Sequence, residues 1–417
     1  MKKIEVWSDW YFLKEPQKVG TLTVSFSRGK EVFSFEYERE WLKGDYKFQI
    51  DPQLLLFEGR HFPNASVENF GVFLDSSPDR WGRMLMLRRE AFRAKAENRT
   101  AKTLMESDFL LGVYDQTRMG GLRFKIDGDF LDSSREFSAP PWTSIRELEQ
   151  AVVSFENEDL ETSPKMAAQF NLLFAQGSSL GGARPKASVL DEKNHLWIAK
   201  FPSKEDLKDI GGWEAVVYEL AKKCQICVPD AKAQKFANKH HTFLTKRFDR
   251  LSVGKRVHFA SAMTLLQHRA GDNFRSGASY LELVDFIIQN GAPSKVDRDL
   301  EELWRRIVFS IAVSNSDDHL RNHGFILSPE GWELSPAYDM NPNEMADGLS
   351  LNISLEDNSL DFSLAKSVAD DYRVSATKAD AIIRLIRKEV GNWKKFAEKY
   401  QISRPEQQRM EKAFKLN

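Results

Sequence analysis

Asp317 and Asn322, separated by four residues, sit in the polar run Ser314-Asn315-Ser316-Asp317-Asp318-His319-Leu320-Arg321-Asn322-His323-Gly324-Phe325, and a third oxygen-bearing side chain, Asp339, follows in SPAYDMNP. A carboxylate can take the proton from an attacking hydroxyl, while amide and carboxylate oxygens are hard ligands suited to Mg²⁺. Together these are the groups that phosphoryl transfer to a hydroxyl requires, and Asp-x4-Asn is the spacing of a protein-kinase catalytic loop. The stretch GFILSPEGWELSPAYD between loop and Asp339 reads as a hairpin turning near Pro329-Glu330-Gly331. A kinase places the same strand, turn and strand between its catalytic Asn and its metal-binding Asp.

Two earlier segments supply the remaining needs, a phosphate cradle and a cation. In Ser178-Ser179-Leu180-Gly181-Gly182-Ala183-Arg184-Pro185-Lys186 the paired glycines allow backbone amides to approach a phosphate closely. The pair is also an ordinary turn composition, and the segment is neither a Walker A sequence nor a G-x-G-x-x-G loop. The short strand HLWIAKFPS then carries Lys200 in the position of the lysine that meets the nucleotide phosphates in kinases; taken alone, it reads more readily as an ordinary surface lysine at a strand end. The helix that follows offers Glu214 and Glu219 to orient that lysine, and Glu214, nearer the helix start, is preferred.

The elements around these residues change character along the chain. LTVSFS, the turn SRGK and VFSFEYE alternate as strands do. The segment from Asp75 to Glu97 reads as a helix with Ser77 as N-cap, Pro78 at its first position and Asp79 favouring the positive dipole end. Residues 79–102 hold eight Lys/Arg against three Asp/Glu, a basic stretch read as a solvated face rather than a nucleic-acid surface. The polar run 125–141 is expected to be a linker or loop. From residue 260 onward helical periodicity dominates, in SAMTLLQHRAG, SYLELVDFIIQNG, RDLEELWRRIVFSIAVSN and KADAIIRLIRKEVGNWKKFAEKY. No internal repeat or low-complexity tract is evident.

A formal net charge of -1 gives no overall field toward nucleic acid or an anionic membrane. MKKIEVWSDWYF lacks the apolar segment of a signal peptide, and stretches such as IVFSIAV are too short to span a bilayer, so a soluble, cytoplasmic protein is expected. The two cysteines, Cys224 and Cys227, form a CxxC at a helix end, but no second ligand pair stands at zinc spacing; both thiols are expected to pack as small apolar groups.

Phe73-Leu74-Asp75-Ser76-Ser77-Pro78-Asp79-Arg80-Trp81-Gly82-Arg83, together with GGARPKA, IAKFPS, TKRFDR, SNSDDHLRNHGF and LSPAYDMNP, resembles the HipA-type serine/threonine kinases, the toxins of bacterial type II toxin–antitoxin pairs. The likeness covers nearly the whole chain. It implies an α+β, protein-kinase-like bilobal fold with an accessory N-terminal α/β subdomain at 1–141, a nucleotide-binding N-lobe part at 142–250 and a mostly helical C-terminal lobe at 251–417. By position it implies Asp317 as catalytic Asp, with His319 and Arg321 shaping and charging the loop. Asn322 and Asp339 would be Mg²⁺ ligands, with Asn322 also part of the catalytic loop. ATP would be held by Gly181, Gly182, Ala183 and Lys200, with Glu214 beside them and Lys246 and Phe248 in the hinge segment that meets the adenine. Inactivating autophosphorylation would fall on Ser179, with Ser178 adjacent. The implied partners are a protein substrate, an aminoacyl-tRNA synthetase among the candidates, and a small helix-turn-helix antitoxin through which DNA is contacted, with growth arrest as the outcome. Asp339 is followed by Met-Asn rather than Phe-Gly and no Ala-Pro-Glu follows, so eukaryotic activation-loop control is not expected; residues 202–212 are the better candidate for a mobile, substrate-facing loop. A small-molecule or lipid kinase, and a non-catalytic corepressor acting with a DNA-binding partner, are the alternative readings.

Overall fold

The computed structural model describes residues 1–131, 139–156, 173, 182, 184–251 and 254–416. Two compact units emerge: Met1–Lys204 with Asp249–Ala260, and Glu205–Phe248 with Ser261–Asn417. Helix and sheet mix as the α+β reading expects.

The first unit is built on β1 (Lys2–Ser8), β2 (Gln17–Ser27) and β3 (Lys30–Tyr37), whose alternating burial matches their alternating sequence. Ile4, Val6, Leu22, Val24, Phe33 and Phe35 are all buried on the covered face, each contributing roughly 1.5–3 kcal/mol relative to exposure. The β2–β3 turn closes on Arg28 and Gly29, both at positive φ (50° and 78°), with Ser27 opposite Lys30; that pair of left-handed residues is what a two-residue hairpin needs. There follow α1 (Arg39–Lys43), β4 (Arg60–His61), α2 (Gly71–Asp75), α3 (Arg80–Ala96), α4 (Glu106–Gly112), β5 (Leu122–Ile126), β6 (Asp129–Phe130), α5 (Ile145–Glu156), β7 (Lys186–Leu190) and β8 (Leu196–Lys200). Strands β4-β3-β2-β1-β5-β6 form one six-stranded sheet.

Three expectations are corrected in this unit. The N-cap of α3 is Asp79, whose carboxylate accepts from Gly82 N at 2.6 Å, because the Ser77 hydroxyl is already donating to Phe73 O at 2.8 Å. Pro78 consequently lies ahead of the cap instead of inside the helix. Within the basic stretch Arg83 pairs with Glu106, Arg99 with Glu90 and Glu97, and Lys102 with Asp108, while Arg80, Arg93 and Lys95 are exposed. The run 125–141 opens as a hairpin, since Asp127 and Gly128 (φ 53° and 94°) make an Asp-Gly turn between β5 and β6; residues 132–138 lie outside the described part.

A charged knot crosses the unit. Asp115, fully buried, receives Arg123 Nε at 2.7 Å and Arg256 Nη2 at 2.9 Å on one oxygen, with Arg118 Nε at 3.5 Å from the other in a contact too poorly aligned to be a hydrogen bond. Arg118 is itself fully buried and donates to the carbonyls of Ser76, Leu110 and Val113.

The second unit contains α6 (Ile210–Lys223), β9 (Ala231–Gln234) and β10 (Thr242–Lys246); β11 (Phe259–Ser261) lies where the chain re-enters it. Next come α7 (Ala262–Leu265), α8 (Tyr280–Asn290), α9 (Val296–Val313), β12 (Gly324–Ser328), β13 (Gly331–Leu334), α10 (Phe362–Ser367), α11 (Ala376–Val390), α12 (Trp393–Lys399) and α13 (Arg404–Met410). Helix α9 is its axis: Leu300, Leu303, Trp304, Ile307, Val308 and Ile311 are fully buried, and Trp304 Nε1 donates to Ala365 O. The expected helix in SAMTLLQHRAG is only the short α7, because Gln267 turns left-handed (φ 58°) directly after it. Of the two cysteines, Cys224 is buried at the end of α6 and Cys227 is exposed, so only the first packs as expected. Among the described residues no helix is long and apolar enough to cross a membrane.

Candidate active site

The polar loop begins where α9 stops. Ser314 takes the left-handed conformation (φ 52°), ending the helix and turning the chain back so that Asn315 N still reaches Ser310 O. The two adjacent acids then part company. Asp318 is buried, while 83% of the Asp317 side chain is exposed. Asn322 donates its amide nitrogen to Asp317 O at 2.7 Å and its backbone N–H to His319 O at 2.7 Å, folding the far end of the loop back on its start. With the nitrogen so engaged, the Asn322 amide oxygen is the atom left to face a cation. His319 Nε2 lies 3.8 Å from Asp317 Oδ1, and its Nδ1 is buried with no hydrogen-bond partner among the described residues.

Strands β12 and β13 pair from Phe325–Leu334 to Ser328–Gly331, so the hairpin stands as the sequence indicates. The chain leaving it carries Asp339, half-buried and left-handed (φ 59°), a conformation that Asp tolerates better than most residues. The residues after Asp339 are sewn to the loop: Asn341 N donates to Asn315 Oδ1, Asn343 Nδ2 to Ser316 Oγ and Asn343 N to Ser314 O. Ser350 Oγ adds a bond to Ser316 O at 2.7 Å. The Met-Asn-Pro-Asn that departs from the eukaryotic pattern is thus the thread that ties Asp339 to the Asp317 loop.

Electrostatics reflect that proximity. Desolvation within the loop and the negative charges of Asp339 and Asp318 push the Asp317 carboxyl above its ordinary value, against the opposing influence of His319. Because the side chain itself is mostly open to water, screening leaves the desolvation part modest, and the like charges are the informative cause. Two oxygen donors, Asn322 and Asp339, beside a mutually repelling acid pair are the donor set a hard divalent cation fits.

Elsewhere in the second unit, Phe248 lies against Tyr338, ring centroids 5.8 Å apart, and Tyr338 OH donates to Arg321 O at 2.8 Å. Arg321 points its Nε at Met263 Sδ, 3.3 Å away. Lys246 ends β10, its backbone N–H on Asp230 O, and Glu214 is buried on α6. The segment 202–212, expected to be mobile, is anchored at both ends. Ser203 and Lys204 bond Glu156 in the first unit, while in the second Lys208 pairs with Glu344 at 2.6 Å. Asp209 caps α6 through Gly212 N and meets His241 Nδ1 at 2.5 Å, and its N–H donates to Glu406.

In the first unit Lys200 is the last residue of β8, opposite Lys186 of β7. Gly182 has φ 87°, and a Cβ there would come 3.2 Å from Lys186 Nζ, so the position suits glycine doubly. Gly181, Ala183, Ser178 and Ser179 lie outside the described residues.

Sequence reasoning gave no role to two features. Lys186, in GGARPKA, forms a buried ion pair with Asp79 at 2.9 Å, and Trp81 Nε1 donates to Lys186 O. Asp318 accepts from Tyr280 OH at 2.7 Å and from Ser310 Oγ at 3.3 Å, with His323 Nε2 2.9 Å from its other oxygen as an ion-pair contact not aligned as a hydrogen bond. The doubled Asp and the His next to Asn322 were the available signals, since a loop needs only one base.

A profile of the HipA-like C-terminal domain matches residues 178–394. A Haemophilus influenzae protein named as a candidate kinase is 28% identical over 182 residues, which is 39% of this chain and 52% of that protein, so the chain spans about half the length of this relative. Among solved structures, a chain of the Shewanella oneidensis MR-1 toxin–antitoxin complex of HipA, HipB and operator DNA superposes with a TM-score of 0.67 at 16% identity, covering 98% of this chain and 94% of that one. The Helicobacter pylori proinflammatory kinase CtkA matches more loosely, with a TM-score of 0.40, 14% identity, and coverage of 57% of this chain and 91% of that one. The S. oneidensis likeness is one of fold, and the kinase-like α+β architecture accords with it. With the family profile matched over more than half its length, the chain belongs to the HipA-like C-terminal domain family.

Proposed function

We propose that this chain is an ATP-dependent serine/threonine protein kinase of the HipA type. The observation that carries the reading is the exposed Asp317 held, through Asn341 and Asn343, in the electrostatic reach of Asp339, with Asn322 folded back onto Asp317. Asp317 accepts the proton of the substrate hydroxyl as its oxygen attacks the γ-phosphorus; the bond from that phosphorus to the β,γ-bridging oxygen breaks and ADP departs with the electron pair. Asn322 and Asp339 would hold Mg²⁺, which when bound neutralises phosphate charge. His319, 3.8 Å from Asp317, opposes the upward push that burial and the charges of Asp339 and Asp318 exert on that carboxyl. On the motif correspondence alone, Gly181, Gly182, Ala183 and Lys200 serve the nucleotide phosphates, Glu214 supports that role, and Lys246 and Phe248 meet the base; the packing of Phe248 on Tyr338 supports an aromatic surface there.

The finer reading extends to biology. The protein acts in the cytoplasm as a toxin that phosphorylates a protein, an aminoacyl-tRNA synthetase being the candidate class, and silences itself by phosphorylating Ser179 or the adjacent Ser178. A small helix-turn-helix antitoxin, through which operator DNA is contacted, restrains it; the S. oneidensis complex, which contains HipA, HipB and DNA, supports that partnership by likeness of fold.

The test is incubation of the purified chain with Mg²⁺ and γ-labelled ATP, alone and with a cell extract. Labelled protein is expected, with modification near residue 179 by mass spectrometry, and Asp317→Asn should lower the rate by about 10²–10⁴-fold. Equal labelling by wild type and Asp317→Asn would refute the assignment. Label appearing only in a metabolite or lipid would point to a small-molecule kinase, and nucleotide binding with no transfer to a corepressor role.

A further inference from the structure

Asp318 has no access to solvent worth the name, yet it is an acid on a surface-reaching loop. A carboxylate in that setting is costly unless polar partners meet it. Here they come from three places: Tyr280 at the first position of α8, Ser310 in α9, and His323 at the loop's exit. Tyr280 is fixed in turn, its N–H on Asn352 O and its ring edge-on to His323 at 5.6 Å and 90°. Burial would raise the Asp318 carboxyl, but His323 and the Tyr280 hydroxyl outweigh it and hold the carboxyl below the ordinary range.

The placement along the chain is the telling part. Asp318 is the residue after Asp317, and His323 is the residue after Asn322. We infer that Asp318 and His323 form a bracket of positioning residues, which by pinning themselves inward fix the outward proton acceptor and the cation ligand at once. The inference rests on the kinase reading for the roles of Asp317 and Asn322. A buried ion pair is weak support for stability, since an apolar replacement often does as well; what it provides is one geometry. With Asp318 held from α8 and α9, Asp317 must face solvent. With His323 held to Asp318, Asn322 lies where its amide nitrogen reaches Asp317 O, and its oxygen is left for a cation. Neither Asp318 nor His323 need touch substrate, and Asp318 cannot replace Asp317 as proton acceptor because both its oxygens are engaged.

The experiment measures Mg-ATP turnover to ADP by the full-length chain, KM for ATP, Mn²⁺ affinity with a non-hydrolysable ATP analogue by EPR, and the melting midpoint. Misplacing a reacting group by an ångström costs on the order of 10²-fold. Asp318→Asn is therefore expected to lower kcat by about that factor while KM for ATP moves by less than about threefold, and to weaken Mn²⁺ binding. His323→Gln should act in the same direction, and the double variant should be no worse than the more damaging single one, since both remove one bracket. Should Asp318→Asn fail to fold, Tyr280→Phe removes a single hydrogen bond and reads the same quantities. A kcat close to wild type in a folded Asp318 or Tyr280 variant, or losses that multiply in the double variant, would overturn the bracket. Absence of turnover in the wild type would sink the kinase reading instead, and the Mn²⁺ titration would still decide the bracket: unaltered affinity in the variants would refute it.

Discussion

Replacing Asp115 by Asn keeps its shape and removes its charge from among three guanidinium groups. In the native unit one oxygen takes two charge-assisted bonds, from Arg123 at 2.7 Å and Arg256 at 2.9 Å, and Arg118 sits 3.5 Å from the other. Bonds to charged groups contribute about 1.5–3 kcal/mol each, and stranding buried charge by removing its partner costs about 3–5 kcal/mol. Asp9 lies 3.2 Å from Arg123 and 3.5 Å from Arg256 and is only partly buried, so it retains some compensation; the lower end, about 3 kcal/mol, is expected. For a unit of this size that corresponds to a fall of roughly 6–12 °C in the melting transition, read by calorimetry on the full chain. The pH dependence has a definite sign. Burial would raise the Asp115 carboxyl, but Arg256, Arg118 and Arg123 outweigh it and hold it below the ordinary value. A depressed folded value means the contribution is present above the unfolded pKa of about 3.9 and is lost as pH falls through the folded one. The gap between wild type and Asp115→Asn should therefore stay constant from neutral pH down to the carboxylate range and close only below it. A shift under about 2 °C, or a gap that closes near neutrality, would refute the reasoning.

Two further outcomes concern side chains away from the loop. His268 lies 2.8 Å from Glu282 and 3.1 Å from Asp272; the Glu282 bond, opposed by burial and aided by Asp272, raises its pKa. A raised value gives stability that is full below about 6.5 and disappears as pH rises through the folded value. His268→Gln should then lower the melting midpoint at pH 6 by the equivalent of about 1 kcal/mol and hardly at all at pH 9, and an equal deficit at both pH values would contradict the assignment. Burial pushes the Cys224 thiol up to about 12 and also raises the exposed Cys227. Iodoacetamide at pH 8 should thus modify the native chain slowly and at Cys227 alone, with Cys224 reacting after unfolding; rapid labelling of both, or stoichiometric zinc uptake, would reinstate a redox or metal role.

What the sequence made legible was local. Asp317, Asn322 and the β12–β13 hairpin could be read because spacing, a polar interruption of an apolar helix and a Pro-Glu-Gly turn all lie within one stretch of chain. Arg28-Gly29 was readable for the same reason. Pairings of distant residues were not: Asp79 with Lys186, Tyr280 with Asp318, and Arg256 with Asp115 carry no periodicity that points from one partner to the other. The Ser77 cap failed because two good capping residues stood close together, and the neighbouring helix had already claimed the serine hydroxyl. Cys227 failed because the backbone, with its N–H on Glu302 and its carbonyl receiving Ala337 N, decides where the residue lies and leaves the thiol outside.

The return of Asp249–Ala260 to the first unit bears on how the chain is made. Until that strip leaves the ribosome, Gly120 N lacks the Asp249 carboxylate, Arg256 is missing from Asp115, and the Trp10 ring lacks the His258 on which it stacks at 5.4 Å. The amino-terminal unit therefore cannot mature during synthesis of its own first two hundred residues, and must wait while the β9–β10 segment of the other unit is translated. A nascent chain halted before Asp249 should stay sensitive to protease, and one halted well past Ala260 should resist it.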